Sequence, residues 1–147
     1  MAKQSRNDRT KEISWIGRLA EDPAALVSYD ALGAMLSLLL LAFVLPAFSV
    51  QLGIPVFHLH LLAIVPAVII LVEMQVLIKR YAVTVSTIKK IALANAIYCL
   101  IIIAYLVIYR GEVTGLGSFY LVLDIIVIAA VIGVELLVVK RMTSSQD

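Results

Sequence analysis

Four stretches dominated by apolar residues, at about 31–50, 55–78, 91–109 and 119–139, alternate with short polar connectors at 51–54, 79–90 and 110–118. Each stretch has roughly the 20 residues that a helix needs to cross about 30 Å of hydrocarbon. Connectors this short place consecutive helices side by side and antiparallel. The pattern predicts an all-α integral membrane protein: a four-transmembrane-helix bundle, up-down-up-down, with no room for a domain outside the membrane.

The first thirty residues are different. They are mostly polar, and Ile13, Ile16 and Leu19 fall at helical spacing with Arg9, Glu12 and Arg18 elsewhere. That spacing predicts a short N-terminal amphipathic helix over 9–20, lying on the membrane surface; a loosely ordered tail is the alternative. The chain divides into a cytoplasmic segment 1–30, a transmembrane domain 31–141 and a tail 142–147. Asp22-Pro23 reads as an N-cap followed by proline at the first helical position. Pro55 is expected to open the second span and Ser86 to cap the third. Pro46 and Pro66 sit inside spans one and two, where each removes a backbone donor and bends its helix. No cleaved signal, N-myristoylation site or prenylation box is expected.

Composition agrees with a lipid environment. The hydrophobic fraction is 63%, against about 45–50% in soluble proteins, and the mean hydropathy is +1.05. The formal charge of +2 does not imply a nucleic-acid partner, because the basic residues cluster on no soluble face. Eleven of the twelve Lys and Arg residues fall in the N-terminal segment, the second connector or the C-terminal tail, leaving only Arg110 on the other side. Positive residues mark the cytoplasmic face, so both termini are expected inside, in a prokaryotic cytoplasmic membrane. Phe48, Phe57, Tyr109, Phe119 and Tyr120 at the outer ends, and Trp15, Tyr29 and Tyr81 at the inner boundary, suit interfacial aromatic belts.

Small residues four apart allow close helix approach in lipid. Each span has such a pair: Gly33 and Ser37, Ala63 and Ala67, Ala92 and Ala96, Ala129 and Gly133. The two halves are faintly alike, since Leu71-Val72-Glu73 precedes Lys79-Arg80 much as Gly133-Val134-Glu135 precedes Lys140-Arg141. A duplicated hairpin is one explanation of this likeness.

Candidate chemistry rests on polar residues inside the spans. A charged acid at the centre of a membrane helix costs about 2.5–3.5 kcal/mol on insertion scales, so Glu73, Glu135 and Asp124 require partners. At about 1.5 Å per residue, Glu73 lies roughly 9 Å from Lys79, Glu135 roughly 7.5 Å from Lys140, and Asn95 at a similar distance from Lys90. These three are expected to share one depth, with Gln75 and Ser37 near the same layer, where carboxylates could hold a proton or a cation. Interfacial or helix-joining roles are the alternative. Asp124 and Glu135, eleven residues apart, share a helix face, and Arg110 is the expected partner of Asp124. His58 and His60 point about 200° apart on a helix and cannot ligate one metal. Tyr98 and Tyr105 share a face and are expected to bond across helices. Cys99, the single cysteine, reads as a small buried apolar residue. No catalytic motif, metal set or cofactor motif is present, so no enzyme and no cofactor is expected.

Three function classes remain, the least favoured of them a membrane enzyme acting on lipid or quinone. The chain could be a non-enzymatic accessory subunit or self-associating scaffold, with a larger membrane protein or further copies as partner. The alternative is a small oligomeric ion- or proton-coupled transporter or channel that uses the intramembrane carboxylates.

Overall fold

The computed structural model describes residues 17–78 and 83–144. Nearly all of them lie in α1 (Pro23–Leu52), α2 (Val56–Ile78), α3 (Val85–Ile108) and α4 (Gly115–Ser144), and no strand occurs among the described residues. All four helices are long and apolar enough to span a bilayer. Their outer faces carry Leu36, Phe43, Phe57, Leu71, Leu100 and Phe119, while Asp30, Glu73, Asn95 and Glu135 are buried. This apolar-outside, polar-inside distribution suits lipid and not water. The chain is accordingly a small four-helix integral membrane protein.

The helices overrun the apolar stretches that predicted them. α1 begins at Pro23, where the Asp22 side chain accepts from the Ala25 amide at 3.3 Å, and so runs through Asp30. α3 is capped by Thr84, whose Oγ1 accepts from the Thr87 amide at 3.2 Å; the expected cap, Ser86, lies within the first turn. α4 continues through Lys140 and Arg141 to Ser144. Most of the surface helix expected over 9–20 lies outside the described residues.

Pro46 reshapes α1. The helix widens into a π turn over Leu40–Val44, tightens into a 3-10 turn over Leu45–Phe48, and resumes over Ser49–Leu52. Proline has no amide proton to give the carbonyl four residues back, and its ring collides with that carbonyl in a regular helix. The carbonyl in question, that of Ala42, is instead paired with His60 Nε2 of α2 at 3.2 Å. A carbonyl only accepts, so Nε2 carries the proton.

α1 ends on Gly53, which is left-handed at φ 65°. A Cβ there would collide with the Glu112 carbonyl, so glycine is required both by backbone conformation and by space. The same corner is pinned by Thr114, whose amide donates to the Leu52 carbonyl at 3.0 Å and whose hydroxyl donates to the Gln51 carbonyl at 2.7 Å.

α1 packs along α2, and α3 along α4, whereas α1 and α4 meet only briefly. One apolar cluster, including Leu41, Leu59, Ile102 and Leu121, fills the half of the bundle near Gly53. A smaller one, made by Leu26, Ile88, Val138 and Val139, fills the opposite end. Of the small-residue pairs, Ala63 and Ala92 are buried in helix contacts. Gly33, Ala129 and Gly133 face outward, and a Cβ on either glycine would meet nothing within 4 Å. The Ala129 and Gly133 face is not used inside the bundle, while Gly33 borders a small cavity with Asp30 and Ser37.

Candidate functional site

Each helix contributes one polar residue to a layer between the two apolar clusters: Asp30 from α1, Glu73 from α2, Asn95 from α3 and Glu135 from α4. Their side chains are 6%, 0%, 5% and 1% exposed. Helical spacing puts Asn95 on the inward face of α3 with Ile88, Ile91, Tyr98, Ile102 and Tyr105, all buried. Asn95 Nδ2 donates to Asp30 Oδ2 at 2.9 Å. The charged neighbours of Glu73 are Asp30 and Glu135, and the polar neighbours of Glu135 are Asp30 and Asn95. Both carboxyl oxygens of Glu73, and Oε2 of Glu135, are buried with no N–H or hydroxyl donor, and Glu73 is within hydrogen-bonding reach of Asp30 once one of the two carries a proton. An unsatisfied buried polar group costs about 1–3 kcal/mol, and more if it is charged. The layer is therefore held together at a cost in stability.

The structure brings Glu73, Asn95 and Glu135 to one place and puts Asp124 elsewhere. Asp124 accepts from Ser37 Oγ at 3.1 Å and from Tyr98 OH at 3.4 Å. Its partners are thus two neutral hydroxyls within the bundle, in place of the expected Arg110. Ser37 belongs to this second group and not to the Glu73 layer, and Gln75 is exposed. Tyr120, whose hydroxyl is buried without a partner, is a further neighbour of Asp124.

Asp30 is the residue that sequence reasoning missed. It terminates the first apolar stretch, so a span read from hydropathy starts just after it. The signal was present: a helix begun at Asp22-Pro23 reaches Asp30 after about two turns, and residues 30, 33 and 37 fall on one face.

A narrow cavity of about 40 Å³ lies between the two polar groups, lined by Asp30, Asn95, Ser37, Tyr98, Pro66 and Val131 among others. It has room for about three water molecules, at about 10–15 Å³ of such volume for each. Nearer the Gly53 end, His58 Nδ1 pairs with Tyr105 OH at 3.1 Å, and the rings of His58, Tyr105 and Tyr109 pack together, His58 edge-on to Tyr105 and the other pairs tilted. The two histidines thus engage different helices, α3 for His58 and α1 for His60. Polar groups occur at three successive levels along the inner face of α3, at Asn95, Tyr98 and Tyr105.

Among the described residues, no three His, Cys, Asp or Glu side chains are grouped as a metal ion requires. What the layer offers chemically is a set of carboxyl oxygens close enough to share protons, beside a neutral amide that orders one of them. Comparison with known proteins brought no relative: no family model, no curated protein and no solved structure matches the chain.

Proposed function

We propose that the chain takes up and passes protons through the Asp30, Glu73, Asn95 and Glu135 layer, as a small oligomeric proton-coupled transporter or channel. The observation that carries this reading is Glu73, which is fully buried, faces two other acids, and has no N–H or hydroxyl donor on either oxygen, so that only a shared proton can join it to Asp30. Carboxylates gathered away from water repel one another and lose their hydration, so protons must neutralise part of the set. The cavity beside Asp30 and Asn95 gives water a place from which to hand protons on toward Tyr98 and Asp124. The reading takes the chain as threaded up-down-up-down with both ends in the cytoplasm, which the placement of basic residues supports. In reconstituted vesicles holding a pH-sensitive dye, a potassium diffusion potential should drive proton influx above that of empty vesicles. Glu73→Gln and Glu135→Gln should return it to background. Flux no greater than that of empty vesicles for the unmodified protein would end the proposal.

The outward faces of Gly33 and Gly133 favour a second reading, an accessory subunit or self-associating scaffold, because open small-residue faces admit another helix. Purification in mild detergent should then recover a stoichiometric partner or a dimer. A chain that stays alone at every detergent concentration counts against it.

A further inference from the structure

The seam where α1 and α4 barely meet holds a cleft of about 670 Å³. This is within the range of sites that take small organic molecules. Arg18 and Asp22 lie along it as exposed charges of opposite sign, and Asp22 is already engaged as the cap of α1. The walls are largely apolar, with Leu26 on one side and Val131 and Val134 on the other. Asp30 also lines it, and Asp30 and Val131 border the internal cavity as well. The cleft thus joins an apolar slot to the carboxylate layer. A neutral apolar molecule gains nothing from Asp30, and an anion is repelled by it.

We infer that this cleft binds an amphipathic organic cation, with its primary ammonium group at Asp30 and its apolar body against Leu26, Val131 and Val134. The inference rests on the proton-exchanging role of the layer. As one ammonium ion enters, one proton leaves the set formed by Asp30, Glu73 and Glu135, so the charge of the layer is unchanged and no covalent bond of the ligand is made or broken. Glu73, buried beside Asp30, is the acceptor through which the displaced proton passes before water in the cavity beside Asp30 carries it out of the set. The lining of the cleft includes the exposed Tyr29 and Ala130, and we take the ligand to enter there, with no water-filled channel required.

The test uses the full chain in lipid nanodiscs and fluorine NMR of 4-(4-fluorophenyl)butylammonium, with 4-(4-fluorophenyl)butanol as the uncharged control and empty nanodiscs for partitioning into lipid. The ammonium compound should give a protein-specific bound signal and the alcohol none. Asp30→Asn should weaken binding about tenfold or more, as expected for losing one charge-assisted contact. Val131→Trp, which fills the slot and leaves every acid in place, should do the same, so the inference stays testable if Asp30→Asn fails to fold. Competition by phosphatidylethanolamine in the disc would identify a lipid headgroup as the natural ammonium source, and lack of competition a free amine. Equal binding of the alcohol, binding unaffected by either substitution, or no bound signal would overturn the inference. Proton flux that depends on Glu73 without amine binding would remove the cleft ligand alone, whereas amine binding without flux would remove the proton-passing role.

Discussion

Asn95 Nδ2 donates to Asp30 Oδ2 at 2.9 Å, tying α3 to α1 at the level where α2 and α4 contribute Glu73 and Glu135. The bond neutralises nothing; it fixes one carboxyl in place among two others. Asn95→Ala should lower stability by about 1–2 kcal/mol, toward the upper end for an interhelical hydrogen bond in a membrane protein because the acceptor is a buried acid. Unfolding by SDS from mixed micelles measures this, and a change under ~0.5 kcal/mol would show that the bond does not order the layer.

His60 and Pro46 should be energetically coupled. His60 pairs with the Ala42 carbonyl, which has no amide proton to accept from residue 46 because that residue is proline. His60→Phe should cost about 1 kcal/mol in the natural sequence. In a Pro46→Ala background, where residue 46 regains its amide proton, the same change should cost close to nothing. Equal costs in the two backgrounds would mean that His60 does not act as the substitute donor.

Gly53 and Gly111 provide a contrast within one end of the bundle. Gly53→Ala should destabilise by about 1–3 kcal/mol from the left-handed backbone alone, with the collision against the Glu112 carbonyl adding to it. Gly111→Ala should be nearly neutral, since a Cβ there meets nothing within 4 Å. The same mixed-micelle unfolding separates the two.

Threading can be read from thiol labelling in a Cys99→Ala background. Gly111→Cys should react with a membrane-impermeant reagent applied to whole cells, while Gln4→Cys and Gln146→Cys should react only after the cells are opened. Termini labelled from opposite faces would overturn the up-down-up-down reading.

Much of the helical layout was legible in the sequence because length and hydropathy alone decide whether a segment can cross lipid. The caps at Asp22 and the effect of Pro46 on its helix were legible too, since both follow from backbone chemistry. Thr84 was missed because Thr84 and Ser86 are both good capping residues two positions apart, and composition does not say which of them stays extended. The polar layer was legible only in part. Depth can be counted along a helix, which is why Glu73, Asn95 and Glu135 fall together. Rotation relative to neighbouring helices cannot be counted in that way. Ser37 therefore turned out to face Asp124 and not the Glu73 layer, and Gly33 and Gly133 lie on the outside. Asp30 was hidden by its own charge, which closes a hydropathy window although the helix continues through it. Arg110 was assigned to Asp124 on charge alone, whereas two hydroxyls inside the bundle reach that acid.

The central claim is that the buried carboxyl layer holds exchangeable protons, and infrared difference spectroscopy of the protein in lipid tests it most directly. The account predicts a C=O stretch of protonated carboxylic acid near neutral pH that shifts on transfer to D₂O and is diminished in both Glu73→Gln and Glu135→Gln. A band absent from the unmodified protein, or unchanged in the two variants, would contradict it.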